Sequence, residues 1–242
     1  MWVKLDRLES RKMKDPVLLV ALSTSMQQYR ALYSQARELA DYMTGHMKFE
    51  EVAVIHSSAF APEVMVREDG ISSLPNCTFL LHGGKTRDVL LLAGDSSPMD
   101  DQYEFTRLVL DYAKECGVKE LFSVGARWTE NPVSAYQDPS LNGFATDAEG
   151  VTALERWGIK PVKGEPAPFF SSLVVAMAPD WGMRGYKLSV DHGEPAPHTR
   201  TVLAMLKLLS EAVGFEVDLG ELTASVEAPP AERKGDGGTI YR

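Results

Sequence analysis

Two short apolar runs limit what this chain can fold into more than any other feature: PVLLVALS from Pro16 to Ser23, and VLLLA inside DVLLLAGD from Asp88 to Asp95. Runs of four to eight apolar residues without polar alternation fit strands covered on both faces, a position found inside a sheet flanked by helices. Each run is followed by a helical pattern. From Tyr29 to Met43, Leu32, Ala36, Leu39, Ala40 and Met43 recur at spacings of three and four. They form one stripe, with Arg30, Arg37 and Asp41 outside it and Gly45 as the stop. After Pro98, Phe105, Leu108, Val109, Tyr112 and Ala113 repeat the spacing as far as Cys116-Gly117, and VKELFSVG returns as a strand. A helix between two buried strands is a βαβ unit, whose strands run parallel through a right-handed crossover. The expectation is an α/β fold with a mainly parallel central sheet.

The remaining segments fill in this frame. EVAVIH (Glu51 to His56) reads as another buried strand. Gly83-Gly84 reads as a tight hairpin turn built on positive φ values, joining the strands of CTFLLHGGKTRDVLLLAGD. Arg127 to Pro168 is rich in Pro, Asn, Asp and Gly. It reads as loops with one helix from Asp147 to Trp157, set at the carboxyl ends of strands. PFFSSLVVAMAPDWG suggests a helix ending near Pro179, GYKLSVDH a strand, and His198 to Val213 a helix entered at Pro197 with Leu203, Leu206, Leu209 and Val213 inward. Residues 1–226 are expected to form one domain. Residues 227–242 hold Pro229, Pro230 and three glycines among charges, cannot bury enough surface to order themselves, and are expected to be a flexible tail.

Composition removes several function classes. With 242 residues the chain can bury a full core, and 44% apolar against 24% charged residues is an ordinary globular balance. A net charge of −9 repels a phosphate backbone, so no nucleic-acid partner is expected. The basic cluster Lys4, Arg7, Arg11, Lys12 and Lys14 is interleaved with Asp6, Glu9 and Asp15 and reads as a solvated edge. Cys77 and Cys116 are too few for a disulfide framework, which points to a reducing cytoplasm. No apolar run reaches the roughly 18 residues of a membrane helix, and the N-terminus opens on charges, so neither membrane insertion nor secretion is expected.

Motifs suggestive of catalysis do not complete themselves. Gly83-Gly84-Lys85-Thr86 resembles the end of a phosphate-binding loop, but the required earlier glycine is replaced by Phe79 and a strand follows where a helix is needed. Gly94-Asp95-Ser96 resembles the start of a GDS-type serine esterase and His82-Gly83-Gly84 an oxyanion loop. Neither Asp191-His192 nor His198 has the spacing of the required base. His46, His56, His82, His192 and His198 form no zinc pattern, and neither metal nor cofactor is implied. A strand-end cleft near Gly94, Asp95, Ser96, Gly125 and Arg127 remains as the alternative: a small-molecule enzyme or binder of hydrolase or phosphorylase-like type, with Arg127 gripping an anion or serving a structural ion pair.

The block from Asp88 to Pro132, DVLLLAGDSSPMDDQYEFTRLVLDYAKECGVKELFSVGARWTENP, resembles the proteasome assembly chaperone family of archaea, bacteria and eukaryotes. So does YKLSVDHGEPAPHTRTVLAMLKLLSEAVGFEVDLGEL from Tyr186 to Leu222, whereas Ser23-Thr24-Ser25-Met26 replaces the family's frequent glycine-rich turn. The resemblance implies a three-layer Rossmann-like, nucleoside-phosphorylase-like fold without the phosphorylase site, assembled into homo-oligomers. It also implies a non-catalytic chaperone or adaptor that meets proteasome α-type subunits or a related ring. The final Ile240-Tyr241-Arg242 is similar to the docking ends of several archaeal members and of the proteasome's activating ATPases. There a free carboxylate and a tyrosine hydroxyl enter a basic pocket and the hydrophobic residue makes dry contact.

Overall fold

The computed structural model describes residues 2–9, 11–22, 30–62, 64–66, 68–94, 96–128, 138–192 and 198–227. In chain order the first half holds β1 (Val3–Arg7), β2 (Val17–Leu22), α1 (Arg30–His46), β3 (Glu50–Ser57), the two-residue strands β4 (Met65–Val66) and β5 (Ser72–Ser73), β6 (Asn76–His82), β7 (Val89–Gly94) and α2 (Gln102–Glu115). The second half holds β8 (Glu120–Trp128), β9 (Leu141–Ala145), α3 (Ala148–Arg156), β10 (Lys160–Pro161), α4 (Phe170–Met177), a 3-10 turn (Ala178–Trp181), β11 (Arg184–His192), α5 (His198–Val213) and α6 (Gly220–Glu227).

Nine strands form one sheet in the order β1-β3-β6-β7-β2-β8-β11-β9-β10. The α/β class holds; the mainly parallel, Rossmann-like or phosphorylase-like sheet does not. The run β1-β3-β6-β7 is antiparallel throughout, and β9 lies antiparallel on β11. Parallel pairing is confined to β7-β2-β8-β11 and the short β9-β10 pair. The cause is connection length. Residues 83–88 are enough to turn β6 back beside β7, whereas a parallel neighbour needs a crossover such as α2 between β7 and β8. Burial reports the same division: β2 is buried at all six positions, while β6 alternates strictly, one face in the core and one half-exposed.

The turn between β6 and β7 also differs from expectation. His82 pairs with Val89, leaving six residues in the connection, and neither Gly83 nor Gly84 has positive φ. Gly84 is required for closeness instead, because a Cβ there would run into the Arg87 carbonyl. Asp88 closes the loop, its carboxylate accepting from the backbone N–H of Lys14 at 2.8 Å and of Gly84 at 3.3 Å.

Two apolar layers flank the sheet, and the alternation of each interior strand divides it between them. Leu19, Leu91, Phe122, Tyr186 and Leu188 meet α1, α3 and α5 on one face. Leu18, Val20, Leu90, Leu92 and Leu121 meet α2 and α4 on the other. Of the N-terminal basic cluster, Lys4 and Arg7 lie on the edge strand β1, where Lys4 pairs with Asp6 at 2.8 Å and Arg7 reaches Glu115 at 2.7 Å, and Arg11, beyond the strand, reaches Glu50 at 2.8 Å. The opposite edge is β10, only Lys160 and Pro161. Among the described residues no helix is long and apolar enough to cross a membrane.

Candidate functional site

In an open α/β sheet, ligands are met at the carboxyl ends of parallel strands, where successive connections leave in opposite directions. Here that point is β2, with β7 on one side and β8 on the other. A cleft of 340 Å³ opens there, running from Leu22 at the end of β2, past Gly125 and Arg127 on β8, to Lys187 and Ser189 on β11. Its far wall is the segment Glu165 to Phe169 and the first turn of α4, with Phe144 and Val162 beneath.

Lys187 is the group that sets the electrostatics of this cleft. Its neighbours Tyr186 and Leu188 point into the core on the α1 side, so strand alternation sends Lys187 to the α4 side. It is paired in register with Ser123, and its chain runs towards Gly125, where an added Cβ would stand 2.8 Å from Nζ. The missing side chain at Gly125 is what gives the ammonium room. Lys187 is only 7% exposed, and among the described residues no hydrogen bond or ion pair meets its Nζ. Burial alone therefore penalises the charged form and lowers its pKa to about 7.

Arg127 occupies the rim in a different role. Its Nε donates to Asp191 Oδ1 at 2.9 Å, its register partner on β11, and its Nη1 lies 3.4 Å from Glu165 Oε2. The guanidinium is thus held between two carboxylates and ties β8, β11 and the cleft wall together.

The five residues of the expected strand-end cleft separate. Gly125 and Arg127 line it. Gly94, at the end of β7, is instead a packing contact, since a Cβ there would sit 2.7 Å from the Asn76 carbonyl oxygen and 2.8 Å from Cys77 Cα. Ser96 is buried outside the cleft lining, and Asp95 lies outside the described residues, as do Ile240, Tyr241 and Arg242. The esterase-like pieces stand apart: His82 pairs with Val89, the first residue of β7, and Ser96 comes after Gly94, its last, so the strand's length of about 17 Å lies between them. His82 instead bonds through Nδ1 to the Lys48 carbonyl at 2.9 Å, and His46 stacks on Tyr42. Among the described residues no three His, Cys, Asp or Glu side chains gather as metal ligands. Lys187 was not legible as a site residue, because a lysine in YKLSVDH reads as the polar half of an alternating strand.

This architecture, a mixed open sheet with helices on both faces and a strand-end cleft at its centre, defines a three-layer α/β protein. The chain belongs to the PAC2 family, whose model matches residues 36–230. No curated protein is recognisably similar in sequence. Among solved structures it is similar to Pyrococcus furiosus PbaB, an archaeal proteasome activator, at a TM-score of 0.79 and 16% identity, covering 93% of this chain and 94% of that one. Pyrococcus furiosus PbaA, an archaeal homologue of proteasome-assembly chaperone, aligns at a TM-score of 0.69 and 17% identity, covering 93% and 92%. A proteasome-assembly chaperone homologue from Mycobacterium tuberculosis aligns at 0.73 and 16%, covering 87% and 91%.

Proposed function

We propose that this protein is a non-catalytic, ATP-independent chaperone or adaptor of the proteasome, acting on α-type subunits or a related ring through its C-terminal segment. The observation that carries the reading is family membership over residues 36–230, together with a fold held in common with an archaeal proteasome activator and an assembly-chaperone homologue. The sequence Ile240-Tyr241-Arg242, fifteen residues or fewer beyond the last turn of α6 at Glu227, supports the docking role. A peptide of that length reaches at most about 50 Å from the body, enough to seat a carboxylate and a tyrosine in a pocket on a neighbouring ring. Assembly into a homo-oligomer would present several such ends together, raising avidity by roughly 10²–10⁴ without new contacts. The test is a pull-down of cognate α-type subunits by the full chain, by a form lacking residues 240–242 and by Tyr241→Ala. Loss of capture with an unchanged unfolding curve is expected, and undiminished capture by the shortened form refutes the docking role.

A further inference from the structure

Lys187 is a burden on the fold that nothing described relieves. A buried ammonium is ordinarily paired or hydrogen-bonded, because an isolated charge away from water is heavily penalised. This one is 7% exposed, faces a 340 Å³ cleft, and has no partner among the described residues. The cleft walls are largely hydrocarbon, from Val124, Phe144, Val162, Pro168 and Phe169, with Ser172 and Ser189 also in the lining. That combination, an apolar body with a few converging polar groups, is the ordinary make-up of a small-molecule site, and the volume lies at the small end of the usual range of about 300–1,000 Å³. The first turn of α4 forms one wall, so the positive end of its dipole adds to the lysine's charge. Phe169, on the rim, is held at φ 73°, ψ 162°, a conformation almost reserved for glycine and met most often at ligand clamps and active sites.

We propose that this cleft binds a small organic monocarboxylate, its anionic end on Lys187 Nζ and its hydrocarbon part against Phe144, Val162 and Phe169. The charge count selects a monoanion. Arg127 is already committed to Asp191 and Glu165, which leaves, among the described residues, one unspent positive charge inside and two carboxylates at the mouth that oppose a dianion such as phosphate. The site is separate from the C-terminal segment and does not depend on the docking role. Binding would fix the proton on Lys187, so above neutral pH the ligand and a proton enter together.

The experiment is calorimetric titration of the full chain with butanoate, hexanoate, octanoate and benzoate, with hexanol and inorganic phosphate as controls, in two buffers of different ionisation enthalpy. At about pH 8.5 a carboxylate is expected to bind at least about tenfold tighter than the matched alcohol, with uptake of nearly one proton per site that vanishes near pH 6. Lys187→Met is expected to erase both the carboxylate preference and the proton uptake. If that variant does not fold, the proton uptake of the unaltered protein decides. Equal binding of alcohol and carboxylate, tighter binding of phosphate, absence of proton uptake, or no carboxylate binding at millimolar concentration each overturns the proposal. A form lacking residues 240–242 should bind the carboxylate unchanged, so failure of this site and failure of ring docking are read separately.

Discussion

Replacing Lys187 by methionine removes a buried charge while keeping a flexible chain of similar size, and its effect on stability should depend on pH in a defined way. In the unfolded chain the amine has the ordinary lysine value of 10.5; in the folded protein burial lowers it to about 7. Below about pH 7 both states carry the proton, and the folded state bears the whole penalty of enclosing the charge. Between pH 7 and 10.5 the folded amine is neutral while the unfolded one is still protonated. The unfolded state then binds more protons, so stability rises with pH. Above 10.5 both are neutral and the penalty is gone. At about 1.4 kcal/mol for each pH unit, the full penalty is about 5 kcal/mol, an upper figure because water entry and side-chain relaxation reduce it. Lys187→Met should therefore be more stable than the unaltered protein at pH 6 by several kcal/mol, and the gain should shrink steadily towards pH 10. Urea unfolding of both proteins at a series of pH values measures this, and the difference cancels every other titrating group. A gain that does not change with pH, or a loss of stability at pH 6, would refute the account of Lys187 as an unpaired buried amine.

The remaining expectations concern the frame around the site. Gly94→Ala forces a methyl against the Asn76 carbonyl and the Cys77 backbone and should cost about 1–3 kcal/mol, seen as a lower urea midpoint with an unchanged slope. Asp147 caps α3 by accepting from the Gly150 N–H at 2.7 Å and also receives Arg184 Nε at 2.7 Å. Asp147→Ala should cost about 1 kcal/mol, and Asp147→Asn, which can still cap, distinctly less; equal losses in thermal unfolding would assign the effect to the ion pair instead.

Much of the fold could be read because burial leaves its mark on residue choice. Val17 to Leu22 and Val89 to Leu92 have no polar interruption because helices cover both sides of β2 and β7, and the α2 stripe from Phe105 to Ala113 meets that same core. Strand direction could not be read this way. The alternation in NCTFLLH, with Cys77, Phe79 and Leu81 buried and Thr78 and Leu80 half-buried, was the available sign of an antiparallel neighbour. β1 was hidden by its charges, since Lys4, Asp6 and Arg7 outnumber Val3 and Leu5. β9 was hidden by Asn142 and Gly143, the latter glycine because the Lys187 backbone carbonyl approaches too closely for a Cβ. At the cleft, Gly125 and Arg127 were legible from their place after a buried strand. Lys187 and the wall from Glu165 to Phe169 were not, because their convergence depends on β11 lying beside β8, which spacing along the chain does not encode.

The two borders of the sheet restrict how copies of this protein can join. β1 presents alternating charges already engaged with one another and with α2, and β10 presents Pro161, which has no N–H to donate. Neither border is a good template for β-augmentation by a second chain. A ring or stack built from this unit is therefore expected to join through helices and loops and not through the borders of its sheet.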